Sequence, residues 1–380
     1  MAMGIRRKVI TGRKPKLLVL STSGVIGGTE RVAINLTRAF RARGWGVRLV
    51  FSQTDQSDAL VNWCNAQGVV AEASPALLIC GTVHTNKDMF NLRRLVREGR
   101  PDVVNLHYGY NYMSLKDVLA VRLARKRCVV TINHPAPWDE TPRRRIMTRI
   151  ASHFCHEVVV ISHATRDTLL KAGIPAHKIT LIYPGLPVPA SMSARAEARV
   201  RLGLPADAFI VGSLAQLVPH KGIADIIEAM SALPVDANGP LLVIAGNGPE
   251  RSSLQHLGAA RLGERAIFFG HVADTADIYA AIDVFALPTY SEGFGLVYVE
   301  AALHGVPSVG TWVGGVPDAV QDGVTGLLIS PGDINALTTA LVQLRNDRAL
   351  RERLGIAAFK RARAEFAQEH MADHYERILV

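Results

Sequence analysis

Two glutamates, Glu292 and Glu300, stand eight positions apart in the segment from Pro288 to Ala302, PTYSEGFGLVYVEAA. An apolar run precedes the first and a helical pattern surrounds the second. The spacing therefore puts one carboxylate just past a strand and the other about two turns into the next helix. Gly293 and Gly295 flank Phe294 where the chain turns into that helix. A residue without Cβ lets the backbone come close to a ligand. The free N–H groups of the helix start favour an anionic oxygen. A carboxylate carried on the helix can accept bonds from paired sugar hydroxyls. A tight turn with a solvated glutamate is the plainer alternative for either residue alone, and it fits the whole constellation poorly.

Two histidines come next. His107 closes the apolar run 103–107, and His134 closes the run 128–134. In parallel sheets, ligands bind outside the carboxyl ends of the strands, so both are candidates for catalysis. His153, His156, His163 and His271 read as structural. No D-x-D triplet occurs, and the clustered carboxylates that would hold Mg²⁺ or Mn²⁺ are missing from the sequence, so no metal site is expected. The four cysteines, Cys64, Cys80, Cys128 and Cys155, are widely spaced and form no C-x-x-C pair. They read as free buried thiols in a reducing compartment.

The elements that must position these groups alternate along the chain. Short apolar runs at 17–20, 47–51, 103–106, 128–132, 158–161 and 179–182 read as strands in the first half. Runs at 209–214, 241–245, 267–269, 284–287 and 308–309 do so in the second. Helical stretches such as 30–43, 115–126, 223–233 and 295–304 lie between them. Continuous apolar strands alternating with helices mean parallel sheets covered on both faces, here as two doubly wound Rossmann-like α/β domains. The expected division is an N-terminal domain over 1–185, a linker over 186–195 in a proline-bearing stretch, and a C-terminal domain over 196–362. The last stretch, from Arg348 to Ile378, reads as helical, with 363–380 placed to cap the second domain or pack back on the first.

With these residues in place, the sequence resembles the family 4 retaining glycosyltransferases of the GT-B fold. The E-G-F-G-L-x-x-x-E run from Glu292 to Glu300 is similar to the signature of that family. Gly27-Gly28-Thr29-Glu30-Arg31 resembles its glycine-rich loop, and Ile161-Ser162 with Ala164-Thr165 its strand-end serine segment. Leu217-Val218-Pro219-His220-Lys221-Gly222 resembles its phosphate-binding lysine loop, and Ala245-Gly246-Asn247-Gly248-Pro249-Glu250 its G-x-G-P turn. Trp312-Val313-Gly314-Gly315-Val316-Pro317 and Gly323 with Gly326 resemble its later glycine turns. The resemblance covers nearly the whole chain.

It implies a GT-B fold, with the two domains facing each other across a cleft. It also implies metal-independent, retaining transfer of a hexose or N-acetylhexosamine from a UDP- or GDP-sugar to a saccharide or lipid-linked acceptor, in cell-surface glycan or glycolipid synthesis. Glu300 would hold the ribose. Glu292, with the backbone of Phe294 and Gly295, would hold hydroxyls of the donor sugar. Lys221 would face the diphosphate, where a fixed ammonium suits the charge that builds on the leaving group. Gly28, Gly246 and Gly248 would line the donor. A first-domain histidine, His134 or His107, would approach the sugar or the acceptor. The family usually carries an arginine five residues before the lysine, and this chain has Gln216 there, which can hydrogen-bond a phosphate but brings no charge. No cofactor beyond the donor is expected. A nucleotide-sugar-binding subunit and a related epimerase or phosphorylase are the alternatives. A dinucleotide dehydrogenase is disfavoured, since no G-x-G-x-x-G follows the first strand.

Charge is uneven. Of 43 Lys+Arg and 33 Asp+Glu, the first 190 residues hold 28 and 12, leaving 15 and 21 for the rest. Arg143, Arg144, Arg145 and Arg149 alternate with Ile146, Met147, Ile150 and Phe154, and Arg122, Arg125, Lys126 and Arg127 form a second basic group. A cytoplasmic protein in peripheral contact with an anionic inner membrane surface is the expectation. Nucleic acid is not expected as a partner, because no binding motif accompanies the charge.

Overall fold

The computed structural model describes residues 14–24, 26–79, 84–110, 112–135, 141–235, 239–272 and 274–380. It divides into two compact units, one comprising Met1–Pro187 with Gln368–Val380 and the other Val188–Ala367. The expected thiol Cys80 lies outside the described residues. Cys64, Cys128 and Cys155 are free and buried.

The first unit is built on seven parallel strands, β1 (Lys16–Ser21), β2 (Gly46–Ser52), β3 (Glu72–Ser74), β4 (Val103–Tyr108), β5 (Arg127–Ile132), β6 (Glu157–Val160) and β7 (Ile179–Leu181). Their order across the sheet is β3-β2-β1-β4-β5-β6-β7. The period of two along β1 sends Leu18 and Leu20 to one hydrophobic cluster and Leu17 and Val19 to the other, so both faces are covered. The helix Gly28–Ala42 follows β1 and buries Val32, Leu36, Ala39 and Phe40. β3 (EAS) has no apolar run and was not legible as a strand.

The helix Gln368–Leu379 belongs to this unit. Met371, Ala372, Tyr375 and Leu379 join the second cluster. The Tyr375 hydroxyl lies 3.0 Å from that of Thr131. Arg43 pairs with Asp373 and Glu376 at 2.6 Å each. The sequence reads 348–378 as one helical stretch. The structure breaks it at Phe366 and Ala367, both buried, between the helices Arg348–Glu365 and Gln368–Leu379.

The second unit carries β8 (Ile210–Leu214), β9 (Leu241–Ala245), β10 (Ala266–Gly270), β11 (Val284–Ala286), β12 (Ser308–Thr311) and β13 (Gly326–Ile329), in the order β10-β9-β8-β11-β12-β13. All pairs are parallel. β13 is the other strand missed from sequence. In each sheet the order reverses beside one strand, β1 in the first and β8 in the second. The carboxyl ends at that switch are where such sheets take ligands.

Candidate active site

In the second unit the motifs converge at the carboxyl ends of β8, β9, β11 and β12. The loop after β8 holds Gln216 and Lys221. Lys221 ends a short 3-10 turn, Pro219–Lys221, and Gly222 takes φ 68° to start the helix Ile223–Ser231. A Cβ at Gly222 would lie 2.3 Å from the carbonyl oxygen of Pro288, so only glycine allows the approach. That approach lets the Tyr290 N–H (2.7 Å) and the Thr289 hydroxyl (2.9 Å) both donate to the carbonyl of His220. The lysine loop is thereby fastened to the segment that leads into Glu292.

Lys221 Nζ donates to Glu292 Oε2 at 2.8 Å, with both side chains largely shielded from solvent. Glu292 Oε1 accepts from the Gly293 N–H at 3.1 Å. A third segment supports the same residue. The Gly315 N–H donates to the carbonyl of Glu292 at 3.2 Å, and a Cβ on Gly314, at φ 53°, would fall 1.9 Å from that oxygen. Gly295, at φ 89°, precedes the helix Leu296–Leu303. Phe294 is buried with its ring edge-on to Phe366, 5.4 Å between centroids.

Glu300 sits on that helix, half-buried, and its Oε2 accepts from the Tyr279 hydroxyl at 2.8 Å. The Tyr279 ring stacks on His304, and the His304 Nδ1 lies 2.8 Å from the carbonyl of Glu300. Tyr279 was not found from sequence, because it lies 21 residues earlier on a different helix and belongs to no local pattern. Burial raises the Tyr298 hydroxyl well above the usual phenol range, and the Glu292 charge adds to this. Tyr298 is buried, and its hydroxyl donates to the carbonyl of Leu287.

Gly246 and Gly248 also allow close backbone packing. A Cβ on Gly246, at φ 145°, would lie 1.8 Å from the carbonyl oxygen of Ala215, and one on Gly248 would lie 2.3 Å from that of Leu217. The turn therefore holds the loop of Gln216 in place from beneath. Gln216 itself is exposed.

In the first unit the assigned residues are spread out. Gly28 is exposed at the first turn of its helix, with open space where a Cβ would stand. His134 is half-buried past the end of β5, its Nδ1 2.8 Å from the Pro135 carbonyl and its ring edge-on to Tyr110 at 5.3 Å. His107 corrects the sequence expectation. β4 runs on through Tyr108, so His107 does not close it but sits between Ser21 and Thr131 in the sheet. It is fully buried, both ring nitrogens are without a partner among the described residues, and burial lowers its pKa to about 3. A neutral, enclosed imidazole cannot touch a sugar. Glu30, in the first turn of the helix Gly28–Ala42, is also buried, and burial raises its carboxyl above the usual range against hydrogen bonds from Ser23 and the backbone.

Two parallel Rossmann-like domains of this topology define a glycosyltransferase of the GT-B fold. The chain belongs to glycosyltransferase family 4. The family described as Glycosyl transferases group 1 matches residues 194–361, and Glycosyltransferase Family 4 matches residues 26–188. A GDP-mannose-dependent alpha-(1-6)-phosphatidylinositol monomannoside mannosyltransferase of Mycolicibacterium smegmatis is 33% identical over 285 residues, covering 70% of this chain and 73% of that one. Its counterpart in Mycobacterium tuberculosis is 28% identical over 355 residues, 88% of this chain and 89% of the other. Among solved structures, Anabaena HepE in complex with UDP and glucose superposes with TM-score 0.79 at 22% identity, over 96% of this chain and 99% of that one. The protein is an enzyme, a glycosyltransferase.

Proposed function

We propose that this glycosyltransferase moves a hexose or N-acetylhexosamine from a UDP- or GDP-sugar, with retention and without metal, to a lipid-linked or saccharide acceptor. The observation that carries the reading is the Lys221–Glu292 pair beside the start of the helix Leu296–Leu303. A diphosphate entering there would take the Lys221 ammonium, and the sugar hydroxyls would take the carboxylate that the lysine gives up. As the glycosidic bond breaks, electrons pass to the β-phosphate oxygen, and Lys221 with the N–H groups of the helix start offsets that charge. Glu300, oriented by Tyr279, would accept from the ribose hydroxyls. Metal independence is the part of this reading that rests on the sequence, which has no D-x-D triplet. His134 is the first-domain histidine we assign toward the reacting sugar.

We place the acceptor at an anionic membrane surface, a reading supported by one exposed helix. On the helix Pro142–Phe154, Thr148, Ala151 and Ser152 face inward. Ile146, Ile150 and Phe154, four residues apart, face solvent at 58%, 39% and 45% exposure. Arg143, Arg145 and Arg149 are exposed along the same helix. Apolar residues flanked by arginines on one outward face suit a headgroup layer, at about 1 kcal/mol for each basic residue. No helix among the described residues is long and apolar enough to cross a membrane.

The test is a panel of UDP- and GDP-sugars in excess chelator, with and without anionic liposomes, read by proton spectra of the first product. Turnover with retained anomeric configuration, faster on anionic vesicles, is expected. An inverted product, or turnover that returns only with Mg²⁺ or Mn²⁺, removes the retaining, metal-free reading. Binding of donor with no turnover on any acceptor supports a nucleotide-sugar-binding subunit instead.

A further inference from the structure

The second unit has another charged recess, at the amino ends of its strands, whereas Lys221 and Glu292 lie at the carboxyl ends. It lies where β8 and β11 begin. It is an open groove of about 690 Å³ whose walls include Arg195, Phe209, Asp283, Arg348, Arg351 and Glu352. That volume lies in the range of small-molecule sites.

The arginines divide into two kinds. Arg199, 4% exposed, is structural. It donates to Asp283 at 2.9 Å and to the carbonyls of Ala281 and Ala206, and the Ile210 N–H completes the aspartate shell. The others present charge to the groove. Arg195 touches Asp283 at 2.6 Å through Nη1 while its side chain stays 53% exposed. Arg348 pairs with Glu352 at 2.8 Å and is 82% exposed. Arg351 places one nitrogen, Nη1, on the carbonyls of Leu344 and Arg345, and lays its guanidinium over the Phe209 ring.

We infer that this groove is a second anion site, built to take a phosphoryl group of a small metabolite between Arg195, Arg348 and Arg351. Three guanidinium forks around one opening suit a doubly charged tetrahedral oxyanion better than a carboxylate. Burial, with the neighbouring charges of Arg195 and Arg348, holds Arg351 below the usual arginine range even with Asp283 and Glu352 pulling the other way. A bound anion would relieve that crowding. Asp283 is already committed to Arg199, so an anion drawing Arg195 away would not leave the carboxylate unpaired.

The test uses the full chain titrated with inorganic pyrophosphate by calorimetry. Lys221→Ala removes the cation assigned to the donor diphosphate, so the binding that remains reports the groove. One site should persist in Lys221→Ala, and adding Arg195→Ser with Arg348→Ser should weaken it at least tenfold. In the chain with Lys221 intact, the same two serines should leave UDP and GDP binding unchanged. Arg348→Ser alone removes only an exposed side chain and should still weaken the site severalfold, which guards against a folding defect in the double variant. No pyrophosphate binding in Lys221→Ala, or binding that ignores the serines, overturns the inference.

Discussion

The donor-side residues of the second unit and the candidate residues of the first are organised in different ways. In the second unit, four segments distant in sequence lock together through backbone contacts that only glycine permits. Gly222 meets Pro288, Gly246 and Gly248 meet the loop of Gln216, and Gly314 meets Glu292. Each functional side chain is held by a partner from another segment, Lys221 by Glu292 and Glu300 by Tyr279. In the first unit, Gly28 follows β1 and His134 follows β5, while His107 is sealed within β4. On the proposed reading, the second unit holds one invariant chemical group, a nucleoside diphosphate, and such a site profits from rigid mutual support. A surface that meets an acceptor is freer to vary, because loops there decide recognition.

The comparison breaks most visibly at Lys221. Lys221→Ala should cut kcat by roughly 10²- to 10³-fold, the loss seen when one fixed donor to a developing oxyanion is removed. A fall below about fivefold, measured at saturating donor, would mean that the helix start alone carries the charge. The second unit would then be less interdependent than its packing suggests.

Glu300→Ala should weaken free nucleotide binding at least about tenfold, since charged hydrogen bonds are worth ~1.5–3 kcal/mol. Tyr279→Phe, which only loosens the carboxylate, should cost a few-fold. Calorimetry with UDP and GDP separates the two. Equal losses would make Tyr279 a contact in its own right.

The smallest effect on turnover belongs to His107. His107→Gln should change kcat by less than about twofold, because the ring is enclosed, whereas His134→Ala should slow turnover clearly. The readout for His107 is stability against pH. Its folded pKa of about 3 lies below the ordinary value of 6.5, so the unfolded chain binds the extra proton first. Its contribution is intact above pH 6.5 and is lost progressively as pH falls from 6.5 toward 3. Denaturant midpoints between pH 7 and pH 4 should slope less in His107→Gln. An unchanged slope would place the acid sensitivity elsewhere.

Local order along the chain determined much of this protein. The alternation of apolar runs with helical stretches is written within windows of ten to fifteen residues, and so are the glycine turns and the Glu292/Glu300 spacing. Tertiary structure decided what depends on neighbours far away in sequence. It showed that Gly246 and Gly248 allow close packing against a loop some thirty residues earlier. It brought Tyr279 to Glu300, enclosed His107 by extending β4 one residue past it, and turned Ile146, Ile150 and Phe154 outward. It also ended one helical stretch at Phe366 and returned Gln368–Leu379 to the first unit, where Tyr375 meets Thr131 from 244 residues away. Periodicity reports which face of an element is apolar, but which neighbour covers that face is settled only when distant segments compete to bury it.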